Sequence, residues 1–272
     1  MTGEIERYIG YGAGLAGSLL GAGAGALVGD PAAGAIWGAA LGPSVESALA
    51  ETTHRAVSAH RRRRVGAVVI LARDSLIAQL GKGETLRGDD FIRASLDGRS
   101  PLDEVVEHVI HAAEESYEEK KLPHIAAVLA NTSLSPSIDA ATAHWVLNQV
   151  RKMTWPKLVA IALLGDSDPE SGQSNLESVP LPPVETSGAE TYEHWNARNV
   201  FYELYYSDSM TGNRLDSSVV RSPRVNDFGL TPGGNLIYQL ADLHLVSLAD
   251  KQALVSALGP ASETQTQGGT NS

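Results

Sequence analysis

Cysteine is missing from the 272 residues. Its absence excludes a disulfide framework and any thiol chemistry, and leaves histidine and carboxylate as the ligands available to a metal. Basic charge is also short: 21 Lys and Arg face 32 Asp and Glu, a net charge of −11. Up to position 64, six basic residues (Arg7, Arg55 and Arg61 to Arg64) roughly balance five acidic ones, so the acidic excess belongs to the remainder. That remainder repels a polyanion, and nucleic acid is a poor default partner. The opening MTGEIER carries two acids and one arginine where a secretory leader needs net positive charge, so no cleavable signal is expected. No nucleophile elbow, zinc-binding helix or P-loop is found: GKGET (Gly81 to Thr85) lacks both the loop and the trailing hydroxyl. A repeat at solenoid period is lacking too. The expectation is a protein that is not an enzyme and takes no cofactor.

The chain is uneven along its length. Hydrophobic residues at 43% and charged ones at 19% are ordinary for a folded protein, and the length allows one large domain or two small ones. Residues 1–45 are glycine-rich and nearly uncharged, and residues 46–64 end in the basic run HRRRR, His60 to Arg64. Residues 65–165 read as a helical body, 166–189 as a polar, proline-bearing linker, 190–259 as a second folded module and 260–272 as a disordered tail.

The stretch Gly10 to Gly42 is almost wholly glycine, alanine and leucine, broken at Gly29-Asp30-Pro31. It contains G-x-G-x-x-G at Gly12, Gly14 and Gly17. A dinucleotide site needs a buried strand immediately before that pattern, and MTGEIERYI is too short and too charged to be one. Spacing of four is more telling. Gly10/Gly14, Gly17/Gly21, Gly21/Gly25, Gly25/Gly29, Gly34/Gly38 and Gly38/Gly42 are small-xxx-small pairs, which on a helix form a flat face for close backbone approach. In water each interior glycine costs roughly 0.5–1 kcal/mol relative to alanine; in a bilayer the unpaired-backbone penalty forces the helix regardless. Tyr8 to Gly29 is uncharged and close to the roughly 20 residues a span requires, whereas Pro31 to Val45 is short for one. Tyr8, Tyr11 and Trp37 are suited to an interface.

On these residues the segment resembles the glycine-zipper hairpins of bacterial membrane and pore-forming proteins over residues 8–45. The resemblance implies packing and homo-oligomers through Gly10, Gly14, Gly17, Gly21, Gly25, Gly29, Gly34, Gly38 and Gly42, with membrane lipid as partner. Val, Ile and Leu are fewer than in such segments, which points to oligomeric or conditional insertion. A soluble hairpin buried against the acidic body and a flexible tether stand as alternatives. Arg61, Arg62, Arg63 and Arg64 follow near the limit at which positive-inside bias acts. If both segments cross, that bias makes their side cytoplasmic, and clustered arginines attract anionic headgroups at about 1 kcal/mol each. A solvated helix end is the alternative.

In the body, Val65, Val69, Ala72, Leu76 and Leu80 form one helical stripe. Ser100 and Pro101 open a second helix, with Asp103 and Glu104 at its positive end. Its apolar face is expected at Val105, Val109, Ala112 or Ala113, and Tyr117, with Glu107, Glu114, Glu115 and Glu118 outward. LPHIAAVLANTSL, SIDAATAHWVLNQV and TWPKLVAIALLG follow as helices, the last capped by Thr154, with Pro156 in its first turn and a stop at Gly165. His108 and His111 lie among Glu104, Glu107, Glu114 and Glu115, but neither has the glutamate three residues earlier that di-metal carboxylate bundles need. No metal is expected.

In the second module, YEHWNARNVFYELYYSD reads as a helix, LDSSVV and RVNDFGL as the strands of a hairpin, and Thr231 and Ser247 as caps of two further helices. Pro223, Arg224, Val225, Phe228, Leu230, Thr231, Gly234, Leu236 and Leu240 make this stretch resemble the wing and following helix of MarR- and HxlR-type winged-helix regulators. A DNA-reading role would draw on Arg214, Arg221 and Arg224 for phosphate, yet residues 150–258 hold eight basic against thirteen acidic residues, which favours protein contacts. The order of LPHIAAVLAN, the Trp-Pro helix and the late LTPGG segment is similar to the abortive-infection (Abi-alpha-like) phage-defence proteins.

The expected architecture is mainly α: a glycine-zipper hairpin, a helical body and a winged-helix-like module with a small β-hairpin. The expected role is a bacterial effector at the inner membrane, its acidic body in the cytoplasm and binding a protein partner. A soluble form before activation is compatible with this. A transcriptional regulator with a glycine-rich self-association arm, and a passive membrane-anchored scaffold, are the alternatives.

Overall fold

The computed structural model describes residue 45 and residues 58–93, 99–166, 192–206, 211–213 and 228–258. The described elements run in the order α1 (Ala59–Leu80), α2 (Pro101–Glu115), α3 (Leu122–Leu134), α4 (Ala140–Lys152), α5 (Trp155–Asp166), α6 (Tyr192–Tyr206), β1 (Thr211–Asn213), β2 (Phe228–Leu230), α7 (Pro232–Leu240) and α8 (Leu248–Ala257). The described residues are therefore mostly helical, as the sequence predicts. The nine glycines of the predicted hairpin, the predicted linker beyond Asp166 and the predicted tail lie outside them.

Most of these helices start at a local chemical signal. Ser58 accepts from the backbone N–H of Arg61 at 3.3 Å, so α1 starts before the arginine run and includes it. Ser100 accepts from the Asp103 N–H at 3.2 Å, while the Asp103 carboxylate takes the Ser100 N–H at 2.6 Å, a reciprocal box with Pro101 following. Asp139 caps α4 through Thr142 N–H at 2.7 Å, and Ser247 caps α8 through Asp250 N–H at 3.1 Å. Caps of this kind stabilise a helix by about 0.5–2 kcal/mol. α5 runs to Asp166, one residue past the predicted stop at Gly165.

The chain divides into two compact units. The first is Met1–Trp155 with Leu236–Leu243. In it α1 packs against α2 and α3, and both of these pack against α4. Val65, Val69, Ala72 and Leu76 are buried as the periodicity predicts, and Leu80 is half-buried. Every residue from Arg64 to Ile70 is also buried, so this half of α1 is enclosed on all sides and not along one stripe. The same holds for α3 from His124 to Ala130. The segment Leu236–Leu243 is tied to α3 by polar contacts. His124 Nδ1 lies 2.8 Å from the carbonyl of Ala241, and Asn131 Nδ2 donates to the Leu240 carbonyl and the Asp242 carboxylate, each at 3.0 Å. Asp242 has φ of 48°, a left-handed conformation that aspartate tolerates better than bulkier residues.

The second unit is Pro156–Asn235 with His244–Ser272. In it α5 is buried continuously from Leu158 to Leu164, and α6 packs against α8 and β1. β1 and β2 pair antiparallel, Thr211 opposite Leu230 and Asn213 opposite Phe228. The strand predicted at residues 224–230 is thus seen at its end, but its partner is Thr211–Asn213; the predicted partner at residues 215–220 lies outside the described residues. Phe228 is fixed by α6, with the Phe201 ring 6.3 Å away and Tyr205 edge-on at 5.8 Å. Ion pairs join Lys157 to Glu203 at 3.0 Å and Lys251 to Asp166. Thr231 accepts from the Gly234 N–H at 3.2 Å and so caps α7 as predicted. The order α6–β1–β2–α7 is helix, strand, strand, helix.

Candidate functional site

The first two turns of α1 hold four arginines, Arg61 and Arg62 in the first turn, where a helix favours acid. The N-terminus of a helix carries partial positive charge, and each cation there is unfavourable by about 0.3–1 kcal/mol. α2 obeys the rule with Asp103 and Glu104 in its first turn, whereas α1 has no acid there. The fold itself explains one arginine of the four. Arg64 is 3% exposed and donates from Nη2 to the Glu114 carbonyl at 2.7 Å. That carbonyl lies in the last turn of α2, where backbone acceptors have no partner within the helix. Burial lowers the Arg64 pKa below the usual arginine range, with the like charge of Arg61 adding to this and Glu119 and Tyr117 opposing it. Arg64 is therefore a strut between the start of α1 and the end of α2. Arg61, Arg62 and Arg63 are exposed, and no acid among the described residues forms an ion pair with them.

Residues 116–121 run beside this end of α1. α2 stops at Glu115, and Ser116 is extended (φ −72°, ψ 115°), so Tyr117 leaves the helical stripe on which the sequence had placed it. Tyr117 is 87% exposed, its ring centroid 6.0 Å from the Arg64 guanidinium carbon. Glu114 corrects the prediction in the other sense. It is 6% exposed, not outward, and its carboxylate lies 3.7 Å from His111 Nδ1. His60 Nε2 stands 3.7 Å from Glu119, and Lys120 Nζ lies 5.7 Å from the centroid of the Trp155 ring. Lys121 is buried and donates to the carbonyls of Arg151 at 3.0 Å and Met153 at 2.6 Å, closing the C-terminal end of α4. Burial lowers its pKa, which Glu118 partly opposes.

A second cluster joins α2 to α4. His108 Nδ1 and His144 Nδ1 are 2.7 Å apart with the rings stacked at 5.0 Å, so one nitrogen donates and the other must be unprotonated. Burial, then the neighbouring His144, Arg151 and His111, lower the His108 pKa to about 4, against a hydrogen bond with the Asn148 side chain. The Glu104 carboxylate lies 3.9 Å from the other ring nitrogen of His144, Nε2. These donors diverge, and among the described residues no group of three or more His, Asp or Glu is arranged to hold a metal ion. His144 was not singled out in the sequence because it lies 36 positions from His108; only the packing of α2 on α4 joins them.

The predicted site residues fall into three groups. Arg61 to Arg63 form an exposed cluster, and Arg64 is turned inward. The glycines from Gly10 to Gly42, and Arg214, Arg221 and Arg224 of the predicted wing, lie outside the described residues. Among the described residues no helix is long and apolar enough to cross a membrane. No family model, curated protein or solved structure matches the chain.

Proposed function

We propose that this chain is a membrane-associated effector, in the manner of the phage-defence proteins it resembles in sequence. In this reading the glycine-rich segment 8–45 self-associates and perturbs a bacterial inner membrane, with the body on the cytoplasmic side. The observation that carries the reading is the exposed triplet Arg61–Arg63 at the start of α1. It begins at the positive end of the helix dipole, is not paired within the described body, and follows the nearly uncharged glycine-rich segment by 16 residues. The test separates membranes from cytosol after expression of the full chain and washes the membranes with carbonate and high salt. Retention is expected; recovery in the wash or the cytosol overturns the reading. In retained protein, Gly21→Leu with Gly25→Leu abolishes oligomers and toxicity, because bulk at these positions blocks backbone approach.

A transcriptional regulator is the second reading, favoured by the strand pair set between α6 and α7. It requires salt-sensitive duplex binding that weakens when Arg221 and Arg224 become alanine.

A further inference from the structure

The end of α1 and the turn after α2 place an exposed tyrosine beside exposed cations. We infer that Arg61, Arg62, Arg63 and Tyr117 form a face of the folded body that docks on an anionic lipid surface, distinct from the glycine-rich segment. This rests on the membrane reading above and adds a contact made by the body itself. Arg64 joins the two parts of the face: its backbone continues the arginine run, and its guanidinium bonds the Glu114 carbonyl and lies by the Tyr117 ring. Both Tyr117 and Arg61–Arg63 are exposed. A tyrosine at headgroup level flanked by cations that meet phosphate is the chemistry of an interfacial anchor.

Two of the acids nearby have cations of their own: Glu115 pairs with Arg151, and Glu118 lies 3.4 Å from Lys121. The third, Glu119, lies 3.7 Å from the His60 ring. Those same carboxylates favour a bilayer over a nucleic acid. Anionic lipids diffuse to gather under the cations, whereas the fixed phosphates of a duplex would run on across Glu115, Glu118 and Glu119. An isolated tyrosine is also too little for a stacking platform.

The chain contains no cysteine, so a single introduced thiol reports from one place. A polarity-sensitive fluorophore is attached to the full chain at exposed Ala59→Cys, next to the arginines. A control label sits at exposed Lys82→Cys, beyond the other end of α1, whose Ala59 and Leu80 are about 31 Å apart by helical rise. On vesicles of phosphatidylglycerol and phosphatidylcholine the first label shifts to the blue and the second does not; phosphatidylcholine alone gives no shift. Replacing Arg61, Arg62 and Arg63 by glutamine weakens the response about 100-fold in lipid concentration, at about 1 kcal/mol per cation, and Tyr117→Ala weakens it several-fold. Circular dichroism verifies that each variant folds. If the chain floats with vesicles while the label ignores both changes, the docking face is wrong and the glycine-rich segment alone holds the membrane. If the unsubstituted chain does not float, both this inference and the membrane reading fail. A response to a DNA duplex but not to vesicles overturns the inference in favour of nucleic acid.

Discussion

The two ends of α1 treat arginine in opposite ways. Beyond its C-terminal end, Arg87 is 6% exposed and its donors all end on protein. Nε and Nη2 hold the two Asp89 carboxylate oxygens at 2.8 and 2.6 Å. Nη1 reaches the carbonyls of Ile138 at 2.6 Å, Ser135 at 3.0 Å and Thr132 at 3.2 Å, and the cation lies 3.9 Å from the centre of the Phe91 ring. Here a guanidinium organises a loop and the end of α3 with nothing left over. At the N-terminal end, Arg61, Arg62 and Arg63 contribute none of this and oppose the helix dipole. An arginine whose donors all end inside the protein is explained by folding, and one whose donors all face outward calls for something external.

The strongest way to break this contrast is Arg87→Ala, which takes the donor from the buried Thr132 carbonyl and from the half-buried Ser135 and Ile138 carbonyls. It should cost about 2–3 kcal/mol in urea unfolding, and Arg87→Lys should recover little because a point charge cannot replace the fork. Next in size, Arg64→Ala should cost about 2 kcal/mol through the bare Glu114 carbonyl, while its neighbour Arg63→Ala stays within about 0.5 kcal/mol. Equal losses at both would erase the distinction between strut and surface.

A pH series sharpens the comparison from the other face of α2. His108 binds its proton near pH 4 when folded, against an ordinary value of 6.5. Between these values the unfolded chain holds the extra proton, so unfolding free energy is full above about 6.5, falls as the pH drops through the window, and levels off below about 4. The ring is only half-buried, so solvent screening limits the loss to about 1–2 kcal/mol. His108→Asn should flatten that segment of the stability curve, read from urea midpoints at successive pH. The smallest effect is that of replacing Arg61, Arg62 and Arg63 together by glutamine. Stability in free solution should hold or rise by up to about 1 kcal/mol as the dipole conflict goes, even as lipid affinity falls.

Local signals made much of this architecture legible. Ser100, Thr231 and Ser247 were readable as caps because each bonds a backbone N–H three residues along. The burial of Val65, Val69, Ala72 and Leu76 followed from period alone. What failed needed tertiary knowledge. Tyr117 fits the stripe of α2 only if the helix continues, and Ser116 turns the chain out first. Arg64 differs from Arg63 by a single step of about 100° around α1, invisible in a run of four identical residues until α2 is packed against one side. Glu114 goes inward, its carboxylate 3.7 Å from His111 three residues earlier. Thr211–Asn213, which pairs with β2, lies just before LDSSVV and has too little strand-like composition to be read as a strand; the predicted strand at residues 215–220 lies outside the described residues.

The return of Leu236–Leu243 to the first unit sets an order of events during synthesis. Residues 156–235 intervene before the segment is made, about 4–16 s at the usual ~5–20 residues/s. Through that interval His124 and Asn131 face no Ala241 or Leu240 carbonyl, and α3 carries an uncovered polar edge. The nascent first unit therefore waits until Leu243 has been translated. Any stop codon before Leu236 leaves both units incomplete, and one just after Leu243 leaves only the second so.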